Sequence, residues 1–343
     1  MYVNRLYLAS FRRFTESDLS FKPGLNLLEG CNGRGKTSVL EALYLLAAGS
    51  SFRTNTLKEL VQESAPGFFI EAHFNKDDAQ NAVAIGFDGE KRRVSISGHI
   101  QEKASALFGN ILAIISTPDD LELIFGSPQV RRRELDILIA QHLPGFALLL
   151  TRYDRILQQR NKLLKMRQFD TISVWEEELA EVGSSIMQQR SLLMKEIQDY
   201  FYQESQWGVE SWKIEYIPSV ADCSQEKLLH SYQTRREQEA KAGYSLFGPH
   251  RDDILFTFEG VPAKSRVSLG QAKIAIFSFR LACWSLLRDR VGTEPLLLID
   301  DLESFLDFDR RKALMQRIES MEQVIASLFS SSACTGSFHL QQF

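Results

Sequence analysis

The stretch from Gly24 to Gly49 reads GLNLLEGCNGRGKTSVLEALYLLAAG and decides the fold of the chain. Its apolar run from Leu25 to Leu28 predicts a short buried strand. The residues that follow fit the phosphate-loop pattern G-x-x-x-x-G-K-[ST] and are Gly30, Cys31, Asn32, Gly33, Arg34, Gly35, Lys36 and Thr37. Apolar residues then recur at helical spacing up to Gly49, which can end a helix. The motif therefore lies between a strand and a helix, as a phosphate loop requires.

The residue types of this loop suit the phosphates of a nucleotide. Glycines let the backbone turn and bring its N–H groups close to phosphate oxygens. The N-terminus of the following helix points at the same anion. Lys36 can reach the β- and γ-phosphates as a point charge, and the hydroxyl of Thr37 can bind Mg²⁺. The alternative, a chance glycine-rich turn, leaves the flanking strand and helix unexplained.

Composition limits the class of protein. The 343 residues suffice for two domains or for one large domain with an insertion. A net charge of −4 excludes a generally basic nucleic-acid coat, but it permits a local basic patch. The four cysteines show no CxxC spacing, which favours a reducing compartment without disulfides or a zinc site. With neither a signal-peptide core nor a membrane-spanning apolar run, the sequence predicts a cytoplasmic protein without membrane contact.

The periodicity of apolar residues divides the chain into three parts. Residues 1–130 and 245–343 have α/β character, and we expect them to form the two parts of one head domain. Residues 131–244 have helical periodicity and predict an inserted arm that contains two antiparallel helices joined by a short loop. Ser173 and Glu176 have the spacing of a capping box at the start of the second of these helices.

A second phosphate-site pattern occurs near the C-terminus. Four large aliphatic residues, Leu296 to Ile299, predict a buried strand that ends in Asp300 and Asp301, as in a Walker B motif. Such a strand would deliver Asp300 to the Mg²⁺ site beside Thr37. Asp301 would face the γ-phosphate, where a carboxylate can position or deprotonate water, and is the candidate catalytic residue. The alternative is a core strand followed by a polar turn, but the phosphate loop in the same chain favours the site.

The segment Ser268-Leu269-Gly270-Gln271 resembles the LSGGQ signature of ABC-type ATPases, with Leu269 in place of one glycine. A serine hydroxyl and backbone N–H groups at a helix N-terminus form an anion cradle. In that class of ATPase the cradle meets the γ-phosphate held by the other subunit. The alternative is an ordinary helix N-cap at Ser268.

Further motifs extend over nearly the whole chain. They are L-x-x-F-R-x-F at Leu8 to Phe14, SFR at Ser51 to Arg53, P-x-D-L at Pro118 to Leu121, G-S-P with R-R-R at Gly126 to Arg133, Q-R-N at Gln159 to Asn161, and GPHRDD at Gly248 to Asp253. With these motifs the chain resembles the RecF family, bacterial recombination-mediator ATPases of the SMC-like branch of ABC ATPases. It departs from the family pattern at Leu269, at Phe305 in the D-loop, and in its last segment.

The resemblance implies an α/β fold, an ABC-type P-loop ATPase head built from both chain ends with an inserted α-helical arm. It implies ATP and Mg²⁺ as cofactors and a weak DNA-dependent ATPase activity that acts as a switch. It also implies an ATP-dependent homodimer on single-stranded and duplex DNA at gaps, which works with RecR and RecO and helps to load recombinase in DNA repair and replication.

Two other classes of protein carry a phosphate loop. The nucleotide-binding subunit of a transporter places its signature much closer to the phosphate loop than Gly270 lies to Lys36. Another P-loop class, such as a kinase or GTPase, needs neither the signature nor the arm. We therefore expect the DNA-repair ATPase.

A local excess of positive charge on the arm is the candidate for DNA contact. The residues predicted to neutralise DNA phosphates are Arg160, Lys162, Lys165 and Arg167. The alternative is a solvated helix face. His250 and Arg251 either line the nucleotide site or anchor a turn, and the sequence leaves both alternatives open.

Overall fold

A computed structural model describes most of the chain. It covers residues 1–31, 33–77, 79–204, 208–209, 211–302, 315–328 and 338–342. In chain order the strands are β1 (Tyr2–Phe11), β2 (Phe14–Ser20), β3 (Gly24–Glu29), β4 (Phe68–Lys76), β5 (Ala79–Phe87), β6 (Arg92–Ile96), β7 (His99–Gln101), β8 (Ala113–Ser116), β9 (Trp212–Ile217), β10 (Asp253–Phe258), β11 (Val261–Pro262), β12 (Leu296–Ile299), β13 (Gln323–Leu328) and β14 (Phe338–Gln342). The helices are α1 (Lys36–Ala48), α2 (Glu122–Phe125), α3 (Pro128–His142), α4 (Gly145–Met166), α5 (Ile172–Gln203), α6 (Gln225–Thr234), α7 (Arg236–Ala242) and α8 (Leu269–Val291). Within the described part of the chain, no helix combines the length and the apolar character that crossing a membrane requires.

The chain forms two compact units. The head unit comprises Met1–Leu121, Glu204–Val209 and Leu269–Phe343, and the arm unit comprises Glu122–Gln203 and Glu210–Ser268. Both chain ends therefore share one unit, but its boundaries differ from those predicted at residues 130 and 245. The boundary predicted at residue 245 moves to residue 268 because β10 is an antiparallel neighbour of β9 within the arm unit.

The described residues of the head unit form two sheets. The first is antiparallel, with the strand order β2-β1-β4-β5-β6-β7. In β4 of this sheet, buried side chains alternate with exposed or half-buried ones, as expected of a sheet with one covered face. Phe68, Ile70 and Ala72 are buried, whereas Phe69 is exposed and Glu71 is half-buried.

The second sheet positions the phosphate loop. Its strand order is β14-β3-β13-β12-β8, and every neighbouring pair is parallel. All residues of β8, β12 and β13 are buried, since a parallel sheet is covered on both faces. The carboxyl ends of parallel strands lie at one edge of the sheet, where ligands of open α/β sheets bind. The phosphate loop follows β3 at this edge, and Asp300 follows β12.

The arm unit contains the predicted pair of long helices. Ion pairs from Arg152 to Glu178 and from Arg160 to Glu176 show that α4 and α5 run antiparallel. The predicted capping box is wrong, because α5 begins at Ile172 and Glu176 is a fully buried partner of arginines. Two further helices of this unit, α6 and α7, are separated only by Arg235.

The GPHRDD motif forms a turn in the arm unit. The Nδ1 atom of His250 lies 2.7 Å from the hydroxyl of Tyr153, and Nε2 lies 3.1 Å from the carbonyl oxygen of Ser245. Burial lowers the pKa of His250 to about 4, so the imidazole is neutral near pH 7. Asp252 is fully buried and accepts a hydrogen bond from the backbone N–H of Ser219 at 2.7 Å. Of the two alternatives for His250, the structure supports the anchor of a turn.

Candidate nucleotide-binding site

The phosphate loop has the geometry that the sequence predicts, between the end of β3 and the start of α1. Gly33 and Gly35 have φ values of 78° and 110°, a left-handed backbone that glycine adopts without steric cost. Cys31 and Arg34 are exposed, and the N–H of Arg34 donates to the carbonyl of Cys31 at 3.3 Å. Asn32 lies outside the described residues.

Lys36 is the first residue of α1, and its ammonium group lies against the loop. The Nζ atom donates to the carbonyl oxygens of Gly30 and Cys31, the second at 3.1 Å. Only 9% of the residue is exposed. An ammonium group beside a helix N-terminus and glycine-rich backbone is suited to an anion such as a phosphate.

Thr37 and Asp300 are brought together, as predicted, although they lie 263 positions apart in the sequence. The Thr37 hydroxyl lies 3.0 Å and 3.1 Å from the two carboxylate oxygens of Asp300. Burial raises the pKa of Asp300, and the neighbouring charge of Asp301 raises it further. A bound cation would offset that cost, and a hydroxyl with a carboxylate is an oxygen donor set that fits Mg²⁺. These residues therefore fit the predicted metal.

Ser327, at the end of β13, is a site residue that the sequence analysis missed. Its hydroxyl donates to a carboxylate oxygen of Asp300 at 2.7 Å and accepts from the backbone N–H of Asp301 at 2.8 Å. Asp301 is exposed and has a left-handed backbone with φ of 57°. Ser327 thus holds both predicted acidic residues at the carboxyl edge of the sheet. Its signal in the sequence was a serine near the end of an apolar strand, which is too common to single out.

These residues line a cavity of about 980 Å³ in the head unit. Lys36, Thr37, Asp300 and Asp301 all contribute to its wall. The wall also includes Arg12, Arg13 and Arg53, which belong to the L-x-x-F-R-x-F and SFR motifs, and Arg34 of the phosphate loop. Among the described residues, five cationic and four acidic side chains line the cavity, and the cationic ones suit a polyanionic ligand.

Two of the arginines at the wall, Arg12 and Arg53, share one carboxylate, that of Glu41 on α1, which is fully buried. Arg12 donates to both of its oxygens, at 2.8 Å from Nε and 2.6 Å from Nη2. Nη1 of Arg53 lies 3.9 Å from the same carboxylate. The side chain of Ser51 donates to it as well. The L-x-x-F-R-x-F and SFR motifs therefore converge on Glu41.

The signature-like segment lies on the surface. Ser268 directly precedes α8, and Leu269, Gly270 and Gln271 form the first turn of that helix. All four residues are exposed. Leu269, Gly270 and Gln271 are not among the described residues that line the cavity. Phe305 lies outside the described residues.

The predicted DNA-binding face of the arm is only partly exposed. Lys162, Lys165 and Arg167 are exposed, as a phosphate contact requires. The prediction for Arg160 is wrong, because its side chain is fully buried. Its guanidinium donates to Glu176 at 3.0 Å and to Glu239 at 2.5 Å, and these buried carboxylates balance its charge.

Arg160 also donates to the hydroxyl of Ser245 at 2.7 Å and lies over the ring of Tyr232. Arg251, the other residue whose role the sequence left open, is exposed and lies over the ring of Tyr244. Both arginines therefore make contacts inside the arm unit.

Comparisons with known proteins agree with this geometry. The family model described as the RecF/RecN/SMC N terminal domain matches residues 2–337. The DNA replication and repair protein RecF of Protochlamydia amoebophila is 35% identical over 334 residues, which cover 94% of this chain and 93% of that protein. The chain belongs to the RecF family. The RecF of Acetivibrio thermocellus is 34% identical over 95% of this chain and 92% of its own length.

Solved structures place this RecF-family chain in the ABC-type head fold. The recombination mediator RecF with ATP, from the RecFOR pathway, aligns with a TM-score of 0.91 and 27% identity over 98% of this chain and 94% of that chain. An Smc head bound to the C-terminal winged-helix domain of ScpA aligns with a TM-score of 0.52 at 14% identity, over 97% of this chain and 91% of that chain, and bears on the fold alone. The alternatives of a transporter subunit, a kinase or a GTPase are not favoured.

Proposed function

We propose that this RecF-family chain is a Mg²⁺-dependent ATPase of DNA replication and repair that uses ATP to switch a DNA-binding dimer. The observation that carries the proposal is the contact between Thr37 and Asp300. A phosphate loop alone would support nucleotide binding. Joined to a buried carboxylate at the metal position, it supports hydrolysis of a Mg²⁺-bound nucleotide.

Each site residue at the carboxyl edge of the parallel sheet has a distinct role in this proposal. Lys36 neutralises charge on the β- and γ-phosphates while the N-terminus of α1 faces the same oxygens. Thr37 and Asp300 would hold Mg²⁺, which would neutralise the phosphate charge that develops during transfer. Asp301 positions or deprotonates the attacking water. Ser327 keeps the Asp300 carboxylate and the Asp301 backbone in place, since its hydroxyl contacts both.

We further propose that Ser268 to Gln271 complete the site of a second copy of the chain. The exposure of these residues at a helix N-terminus supports this role, because such a surface can accept a γ-phosphate from another molecule. Dimerisation would then require ATP, and slow, DNA-dependent hydrolysis would reverse it. The partners proposed from the family are single-stranded and duplex DNA at gaps, with RecR and RecO, in the cytoplasm during recombinase loading.

Sedimentation velocity with and without ATP and Mg²⁺, repeated with gapped DNA, tests the proposal. Wild-type chain should be a monomer alone and a dimer with ATP and Mg²⁺. Ser268→Arg should bind ATP but stay monomeric, because an added charged side chain occupies the surface where the other γ-phosphate docks. The matched control is Ser265→Arg, which adds the same side chain at an exposed serine three positions earlier and should dimerise normally.

Asp301→Asn should accumulate as an ATP-bound dimer, because an amide cannot serve as a base. Its hydrolysis should fall by about 100-fold or more, in line with the contribution of a general base. Dimers of Ser268→Arg that match the wild type would assign this segment to a helix cap. Hydrolysis by Asp301→Asn at the wild-type rate would remove Asp301 from the mechanism.

A further inference from the structure

The turn between β1 and β2 places two consecutive arginines at the cavity in different environments. Phe11 pairs with Phe14 across the two strands, so Arg12 and Arg13 alone form the turn. Arg12 has a left-handed backbone with φ of 54°. This conformation is costly for a side chain of that size and persists only where surrounding contacts fix it. Both arginines line the cavity, and their contacts separate their roles.

Arg12 is fully engaged by the protein. Its Nε and Nη2 atoms donate to the Glu41 carboxylate, and Nη1 donates to the carbonyl oxygen of Glu59 at 2.8 Å. A guanidinium bound to a buried carboxylate at two points has its charge balanced and its orientation fixed. Arg12 therefore supports the wall of the cavity, and holds the turn that carries Arg13.

Arg13 lies directly on the phosphate loop. A Cβ atom placed on Gly33 would lie 3.7 Å from Nη1 of Arg13, and one placed on Gly35 would lie 3.1 Å from its Cδ. The ring of Phe14 covers the same glycine, since a Cβ on Gly35 would approach it to 2.5 Å. The guanidinium thus extends along the loop whose backbone cradles phosphates.

No carboxylate balances the charge of Arg13 within the described part of the chain. Arg13 is exposed and takes part in none of the ion pairs there, although Glu59 and Glu63 also line the cavity. Arg53 differs, because it lies near Glu41. Of the three arginines at the wall that lie outside the phosphate loop, Arg13 therefore has the charge most available to a ligand.

We propose that Arg13 is a further nucleotide-contacting residue that binds the β- or γ-phosphate together with Lys36. This inference rests on the proposed function. A planar guanidinium can bind phosphate oxygens at two points, whereas the ammonium of Lys36 acts as a point charge. Phosphate is also the chemistry of DNA, but the position of Arg13 on the Gly33 to Gly35 backbone favours the nucleotide.

Calorimetric titration with ATP, ADP and AMP in the presence of Mg²⁺ tests the proposal. Arg13→Ala should weaken ATP binding about 10- to 100-fold, the expected loss for a charge-assisted hydrogen bond. The affinity for ADP should fall by the same factor or by less. The affinity for AMP should change by less than about twofold, because AMP lacks the β- and γ-phosphates. Arg13→Lys should recover part of the loss for ATP. The matched control is Arg93→Ala, which removes an exposed arginine of the same sheet that pairs with Asp88, and should bind all three nucleotides normally.

Each other result has a definite meaning. If wild-type chain binds no ATP, the proposed function fails before Arg13 is tested. If the wild type binds ATP and Arg13→Ala binds it equally well, the inference about Arg13 is wrong while the proposed function stands. An equal loss for ATP, ADP and AMP would also overturn it, since the contact would not involve the terminal phosphates. So would a selective loss of duplex DNA binding measured without nucleotide, which would assign Arg13 to the nucleic acid.

Discussion

Lys36 in the head unit and Arg160 in the arm unit are both buried cations, but different groups lie against their charges. Lys36 contacts two backbone carbonyl oxygens, and in the described part of the chain no carboxylate pairs with it. Arg160 contacts the carboxylates of Glu176 and Glu239, which are themselves fully buried. A buried cation at a cavity wall without a carboxylate partner is available to an anionic ligand. A buried cation that carboxylates surround belongs to the packed interior instead, since an unpaired buried charge is costly.

The largest expected effect is on the stability of the arm unit. Arg160→Ala leaves Glu176 and Glu239 buried with one cation fewer, and breaking such a network costs about 3–5 kcal/mol. We expect urea denaturation to show a loss of this size in the free energy of unfolding. The control is Lys162→Ala on the same helix, an exposed position where the change should stay within about 0.5 kcal/mol. Unchanged stability of Arg160→Ala would mean that the network contributes nothing, and the comparison would fail.

For Lys36 we expect the converse: a substitution weakens ATP binding and leaves the stability of the fold unchanged. Lys36→Ala removes the charge on the β- and γ-phosphates, so ATP affinity should fall by about 100-fold or more, equivalent to about 3 kcal/mol. Alanine is the best helix former, and the first position of α1 should accept it with little change in the unfolding midpoint. Lys103→Ala removes an exposed lysine of the head unit and is the control. Wild-type ATP affinity in Lys36→Ala would contradict the whole nucleotide site.

The candidate nucleotide site, at the carboxyl edge of the parallel sheet, could be predicted because short motifs determine the backbone geometry there. Four aliphatic residues gave the bounds of β12 correctly, and the pattern that follows placed Asp300 beside Thr37. A parallel sheet brings the carboxyl ends of its strands to one edge whatever the distance in sequence. The edge is therefore predictable from local patterns alone. Ser327 was missed because nothing local distinguishes it from other serines at strand ends.

The arm could not be predicted to the same depth, because its charges are paired by residues from distant segments. The carboxylate of Glu239 that meets Arg160 lies 79 positions further along the chain. Helical periodicity predicted α4 and α5 but could not show that α7 contacts α4. The same reason applies to the boundary predicted at residue 245, since the pairing of β10 with β9 is a tertiary contact. The sequence likewise does not indicate that the Glu41 carboxylate pairs with both Arg12 and Arg53.

The smallest expected effect concerns the cations that the arm does expose. With Arg160 removed from the predicted DNA-binding face, Lys162, Lys165 and Arg167 remain, and all three are exposed. If Lys162 and Lys165 each neutralise a phosphate of duplex DNA, the double change Lys162→Glu and Lys165→Glu should reduce the slope of log affinity against log salt by about 1.8. The loss should be the same for all DNA sequences, because phosphate contacts carry no base information.

A salt titration of DNA binding in the presence of ATP measures this slope for the wild type and the double variant. The control is Lys227→Glu with Lys241→Glu, the same charge change at exposed lysines of α6 and α7. ATP affinity should be unchanged in both, because all four lysines belong to the arm unit. A lower slope in the test pair alone would separate a specific phosphate contact from the general attraction of DNA to positive charge. Equal slopes in the wild type and the test pair would mean that this face of α4 is solvated. The difference between the two units would then be complete, with anions bound by the head unit and with the cations of the arm serving stability and solvation only.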